Sequence, residues 1–248
     1  TEALTVTVSD EMNASAIPSK SQLAGSTVYI PPREVLSMYP GFMEIYEKYR
    51  LPFERTYYDL CRALSGPLLR EIPPLLAELT KPLEVTLGGR LLLDGNRFVI
   101  DYGDGQLDIN LEAEGLRKIA ALLQLIANGT IESGSCLFWD EPEANLNPKL
   151  VVTIKEFLVG LARAGVQVFL ATHDYLLCRE LSLEAEYGKT PELFRFFCLN
   201  KNTSAEAVTV EAGSLLADLQ HNPIVEEFAA HYEREARLFA GLPSPTKA

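Results

Sequence analysis

The stretch Cys136-Leu137-Phe138-Trp139-Asp140-Glu141-Pro142-Glu143 limits what this chain can fold into more than any other. Its first four residues are apolar with no polar alternation, the pattern of a strand buried on both faces of a parallel sheet. Two adjacent carboxylates follow at once, and a third stands two positions later. Open α/β sheets bind their ligands at the carboxyl ends of such strands, so Asp140 and Glu141 mark a candidate site.

The surrounding pattern supports this. A helix is expected over Glu112–Asn128, closed by Asn128-Gly129 in the manner of a C-cap. After the buried strand comes a helix from about Pro148 to Ala164, with proline in its first turn and Gly165 at its end. Val166–Ala171 reads as a second buried strand that delivers Thr172-His173, and Asp174 can cap the helix that follows. Phe194–Leu199 and Ala207–Val210 complete the strands, and an amphipathic helix runs from Pro223 to Phe239. This βαβ order predicts an α/β core over residues 111–248, with a mostly parallel sheet flanked by helices.

Residues 1–110 read as a helical and small-β lobe, or an insertion. Strands are expected at Thr5–Val8 and Thr27–Ile30, the second stopped by Pro31-Pro32. Helices are expected at Phe42–Tyr49, Phe53–Leu64 and Pro67–Leu79. An antiparallel meander then follows at Leu83–Leu87, Arg90–Leu93 and Arg97–Tyr102, turning at Gly88-Gly89 and Asp94-Gly95-Asn96. Tyr29, Tyr57 and their aromatic neighbours are expected in the core, and Arg33 on a solvated face.

Composition narrows the function classes. With 22 Lys and Arg against 34 Asp and Glu, the net charge of −12 argues against a chain that clamps nucleic acid by itself. The four cysteines lie far apart in apolar surroundings without a CxxC pair, so buried free thiols in a reducing compartment are expected. No apolar run is long enough to span a bilayer and no signal-peptide pattern opens the chain, so the expected location is cytoplasmic, with no membrane partner. The chain opens without Met, almost directly in an alternating strand pattern, and a further upstream segment is expected.

Taken together, Trp139-Asp140-Glu141-Pro142-Glu143-Ala144-Asn145-Leu146-Asn147-Pro148 resembles the Walker B strand and D-loop of an ABC-type ATPase, in the branch of SMC/RecF/OLD-like AAA-family proteins. Phe169-Leu170-Ala171-Thr172-His173-Asp174 resembles the His-switch of that branch, and the resemblance spans about residues 111–180. It implies a P-loop NTPase fold, with ATP and Mg²⁺ as cofactors. Asp140 would hold Mg²⁺ through its water shell, Glu141 would orient the attacking water or accept its proton, and His173 would reach toward the γ-phosphate. Asn145 and Asn147 would lie in the D-loop and bind nucleotide across a homodimer interface. The run Glu112-Ala113-Glu114-Gly115 stands where the family carries its signature motif. There Glu114, Gly115 and the helix N-terminus would meet a phosphate, with Arg117 or Lys118 supplying positive charge.

The sequence departs from the family in two places. The signature run has acidic residues in place of a Ser-Gly-Gly core, and no G-x-x-x-x-G-K-[ST] loop (Walker A) occurs in the chain. The resemblance implies a nucleotide-driven dimeric switch acting on an effector protein or nucleic acid, in defence or DNA maintenance. Two alternatives stand beside it. One is a non-catalytic ABC-like dimerisation module. The other is a metal-dependent nuclease using Asp140, Glu141 and Glu143, although Glu143 is expected mainly in a structural role at a helix N-terminus.

Overall fold

A computed structural model describes residues 6–8, 14–16, 25–49, 51–201 and 208–241 of the chain. Thr5 and Ala207, the first residues of two expected strands, lie outside the described residues. The elements, in chain order, are β1 (Val6–Val8), β2 (Ala14–Ala16), β3 (Thr27–Ile30), α1 (Phe42–Lys48), α2 (Arg55–Leu64) and α3 (Pro74–Leu87). There follow β4 (Arg90–Asp94), β5 (Arg97–Asp101), β6 (Gln106–Asp108), α4 (Glu114–Ala127), β7 (Cys136–Asp140), α5 (Pro148–Arg163), β8 (Gln167–Ala171) and α6 (Tyr175–Tyr187). The last are β9 (Phe196–Asn200), β10 (Thr209–Gly213) and α7 (Pro223–Phe239).

The fold is α/β, as the sequence pattern predicted. Its central sheet is parallel, in the order β3-β7-β8, with Tyr29, Phe138 and Phe169 in one row and Ile30, Trp139 and Leu170 in the next. Because side chains alternate across a strand, Val28, Ile30, Leu137 and Trp139 enter the main core, and Val168 and Leu170 pack against it. On the other face Phe138 and Phe169 stack, with ring centroids 4.6 Å apart, and Phe169 keeps 42% exposure.

Helix α4 is buried on most sides: Ile119, Ala120, Leu122, Leu125 and Ile126 are all closed off from solvent. Burial of each large aliphatic side chain contributes about 1.5–3 kcal/mol, so this helix is central to the stability of the core. The core does not divide at residue 110. β3 pairs with β7, and one cluster runs from Val28 through Leu60, Leu83 and Phe98 to Leu137 and Leu161.

Three expectations need correction. Leu83–Leu87 is the last part of α3, not a strand. Leu76, Thr80, Leu83 and Leu87 are buried at spacings of four, three and four, and this helical stripe outweighs the interior Pro82, whose cost is about 3 kcal/mol. Gly88 accordingly caps α3 at φ 72°, and the third meander strand is β6, on the far side of β5. The helix expected at Pro67–Leu79 starts instead at Pro74. Lastly, β9 and β10 form a separate antiparallel hairpin and do not extend the parallel sheet. Phe196 and Cys198 from this hairpin pack with Cys178, Leu216 and Leu219 in a second, smaller cluster.

Candidate functional site

The carboxyl ends of three adjacent parallel strands converge here. β7 ends in Asp140, β8 leads into Thr172-His173, and β3 ends at Ile30 beside them, with Tyr29 one residue earlier. Parallel pairing brings the three ends to one edge of the sheet, although β3 and β7 lie more than a hundred residues apart in sequence.

The Glu141 carboxylate (Oε1) lies 3.2 Å from His173 Nδ1. His173 is exposed, its side chain 77% accessible, while Glu141 is half-buried. Glu141 adopts a left-handed backbone, φ 47°, uncommon for a non-glycine residue with a long side chain. Its N–H donates to the Ala171 carbonyl at 2.8 Å, which ties the first residue after β7 to the end of β8. Asn145 also has a positive φ, 62°, and together the two residues turn the chain sharply between β7 and α5.

Asp140 is held from the β3 side. The Tyr29 hydroxyl donates to Asp140 Oδ2 at 3.3 Å, and burial, followed by the Asp140 charge, pushes the Tyr29 phenol pKa up. A cleft of about 320 Å³ opens next to it, lined by Tyr29, Pro31, Arg33, Phe53, Tyr57 and Asp140. A single carboxylate of this kind suits Mg²⁺, which keeps most of its water shell and needs only one or two protein oxygens beside phosphates. Among the described residues no three His, Cys, Asp or Glu side chains are grouped to hold a metal directly. The ligand set that a nuclease would need is thus not assembled by Asp140, Glu141 and Glu143. Glu143 instead accepts a 2.7 Å hydrogen bond from Thr172 Oγ1.

The remaining candidates fall into two groups. Glu114, Gly115 and Asn145 form the first, where the amino end of α4 presses on the turn after β7 and buries Gly115 against it. A Cβ added at Gly115 would lie 2.9 Å from both the Asn145 carbonyl oxygen and Leu146 Cδ2, so only glycine permits this approach. Glu114, in the first turn of α4, is half-buried, and Asn145 is exposed. The other group is used within the protein. Lys118 is 3% exposed, and its ammonium donates to the carbonyls of Glu141 at 3.2 Å and Ala144 at 2.9 Å. Burial lowers its pKa, opposed by the charges of Glu114, Glu143, Glu141 and Glu34. Arg117 Nε lies 3.3 Å from the buried Glu34 carboxylate, near enough for attraction although not aligned for a hydrogen bond. The Asn147 side chain caps α5 by accepting from the Lys149 N–H at 3.0 Å, as Asp174 caps α6 by accepting from Leu177 N–H at 2.7 Å.

Sequence reasoning missed Tyr29, Arg33 and Tyr57 as neighbours of Asp140. The available signal was the apolar run Thr27–Ile30, stopped by two prolines, which marks a strand end that a neighbouring strand could share. The inward role of Lys118 had no comparable signal.

No curated protein gives a match to this chain. One family pattern, described as "AAA domain, putative AbiEii toxin, Type IV TA system", matches residues 43–179, more than half of the 248. That interval contains the amino end of α4, the Asp140-Glu141 pair and His173, and runs from the helical lobe into α6. With its parallel sheet, its acidic strand end and this match, the chain belongs to the AAA domain family.

Proposed function

We propose that this chain is the Walker B to His-switch part of an ABC-type ATPase of the SMC/RecF/OLD-like kind, hydrolysing ATP with Mg²⁺. The observation that carries the reading is the approach of Glu141 to His173, 3.2 Å apart, directly after Asp140 at the ends of neighbouring strands. Glu141 orients the attacking water and takes up its proton. His173, exposed beside it, donates a hydrogen bond to the charge that develops on the γ-phosphate. Asp140 would hold Mg²⁺, whose charge would offset that of the phosphate oxygens.

The surface formed by Glu114 and Asn145 over the buried Gly115 is the face through which two copies meet around nucleotide. Its support is the tight seating of α4 against the turn, which makes the two motifs one continuous patch. The toxin–antitoxin description of the family favours a role in defence, with an effector protein as the partner switched by hydrolysis. A second reading, a dimerisation module without turnover, is favoured by the inward commitment of Arg117 and Lys118, which leaves the phosphate contact to backbone groups.

The deciding experiment is ATP binding and hydrolysis by the intact protein and its Glu141→Gln variant. Binding retained with turnover lost is the expected result. Equal hydrolysis by both forms would overturn the catalytic assignment, and Mg²⁺-dependent binding without turnover by the unaltered protein would favour the second reading.

A further inference from the structure

The geometry points to Lys118 as a positioning residue for Glu141, locking the amino end of α4, the turn after β7 and the end of β8 into one unit. The inference rests on the ATPase reading for its functional consequence, but the lock itself is independent of it.

A lysine that is 3% exposed is costly unless its charge is answered, and the usual answer is a carboxylate. Here the ammonium instead meets two main-chain carbonyls, those of Glu141 and Ala144, which begin and end one turn. The same turn is closed by the Ala144 N–H donating to Glu141 O at 3.1 Å. An ammonium has three donors, so it can bridge both carbonyls at once, which no uncharged aliphatic side chain of similar length can do.

The consequence falls on Glu141. Its left-handed φ of 47° is unfavourable for glutamate and persists only where its surroundings enforce it. The peptide before it is fixed by the N–H bond to Ala171, and the peptide after it by Lys118. With both flanking peptides held, the side chain leaves the main chain toward His173. On the opposite side of the turn, Glu143 accepts from Thr172 Oγ1, which in turn accepts from the Asp174 N–H at 3.0 Å. His173 therefore stands between Thr172, tied to the turn through Glu143, and Asp174, tied to Thr172. Gly115 completes the unit by seating α4 against Asn145 and Leu146. A displacement of the α4 amino end by nucleotide or by a second copy would reach Glu141 and His173 without passing through any loose segment.

The test uses the intact protein with Lys118→Met, which keeps length and apolar stem while removing the charge and all donors. Thr172→Val, which removes the part-buried hydrogen bond to Glu143, serves as the second variant in case Lys118→Met does not fold. Amide hydrogen exchange across residues 141–147 should speed up about tenfold or more in either variant, while the middle of α5 keeps its protection. The kcat for ATP should fall about ten- to a hundredfold with KM changed less than about twofold, since a misplaced water-orienting group costs turnover and not binding. Unchanged exchange at 141–147 would overturn the lock. Faster exchange with unchanged kcat, in an enzyme that Glu141→Gln inactivates, would overturn the positioning role. Faster exchange in a protein whose Glu141→Gln variant hydrolyses ATP as well as the unaltered form would sink the ATPase reading and leave the lock standing.

Discussion

Replacing Gly115 by alanine tests the close contact on which the shared α4 and D-loop surface depends. The added methyl would lie 2.9 Å from the Asn145 carbonyl oxygen and 2.9 Å from Leu146 Cδ2, against an optimum near 3.5–4.0 Å for carbon contacts. Leu146 can rotate away, but the Asn145 carbonyl belongs to a turn held by Lys118 and by the Leu146 N–H bond to Glu143 O, so the main chain must move. Alanine is favoured over glycine in a helix by up to about 1 kcal/mol, whereas forcing an extra methyl into a packed site costs about 1–3 kcal/mol. Gly115 is the second residue of α4, where the interior propensity gain is only partly realised, so the clash wins, for a net loss of about 1–2 kcal/mol. In a chain of this size 1 kcal/mol corresponds to about 2–4 °C in Tm, so thermal unfolding should begin roughly 2–8 °C earlier. Gly105→Ala is the matched control, because an added Cβ there meets nothing within 4 Å and its change should stay within about 0.5 kcal/mol. A Tm for Gly115→Ala equal to or above that of the parent protein, measured by calorimetry, would refute the close approach and the reasoning built on it.

Other consequences can be measured separately. Burial pushes the Cys61 thiol up to about 12 from 9, so the folded state holds its proton where the unfolded chain has lost it. That contribution is complete below pH 9 and disappears as pH rises toward 12, at about 1.4 kcal/mol per unit; urea midpoints from pH 8.5 to 10.5 should fall more steeply for the parent than for Cys61→Ala, and equal slopes would contradict it. Asn147→Ala should cost about 1 kcal/mol through loss of the α5 cap while Asn147→Ser keeps most of it, and an Asn147→Ser variant with normal stability but a raised KM for ATP would show that Asn147 also meets nucleotide.

Much of the candidate site was legible because its signal is local. Cys136–Trp139 reads as a doubly buried strand from its own residues, and a carboxylate straight after it must stand at the strand end. Val166–Ala171 was legible as a strand that delivers Thr172-His173, but not as a buried one: β8 stands at the end of the described sheet with Gln167, Phe169 and Ala171 exposed, whereas Asn147 and Asp174 cap helices as their residue types favour. Local pattern failed where a distant partner overrode it. Pro82 suggested a break, yet packing of Leu76, Thr80, Leu83 and Leu87 carried α3 through it. Phe196–Asn200 has the composition of a core strand, but pairing with β10 alone placed it in a hairpin outside the main sheet.

The sequence by itself determined the α/β class, the position of Asp140, Glu141 and His173 at strand ends, and the helices on either side, since each follows from periodicity and end signals within a few residues. Only the tertiary structure decided that Tyr29 reaches Asp140, that Glu141 takes a left-handed backbone beside His173, and that Lys118 points inward to the turn. Those facts depend on parallel pairing between strands far apart in sequence and on which face of α4 is buried. A lysine in a helix carries the same local pattern whether it meets solvent or two main-chain carbonyls, and only the packing around it makes the choice.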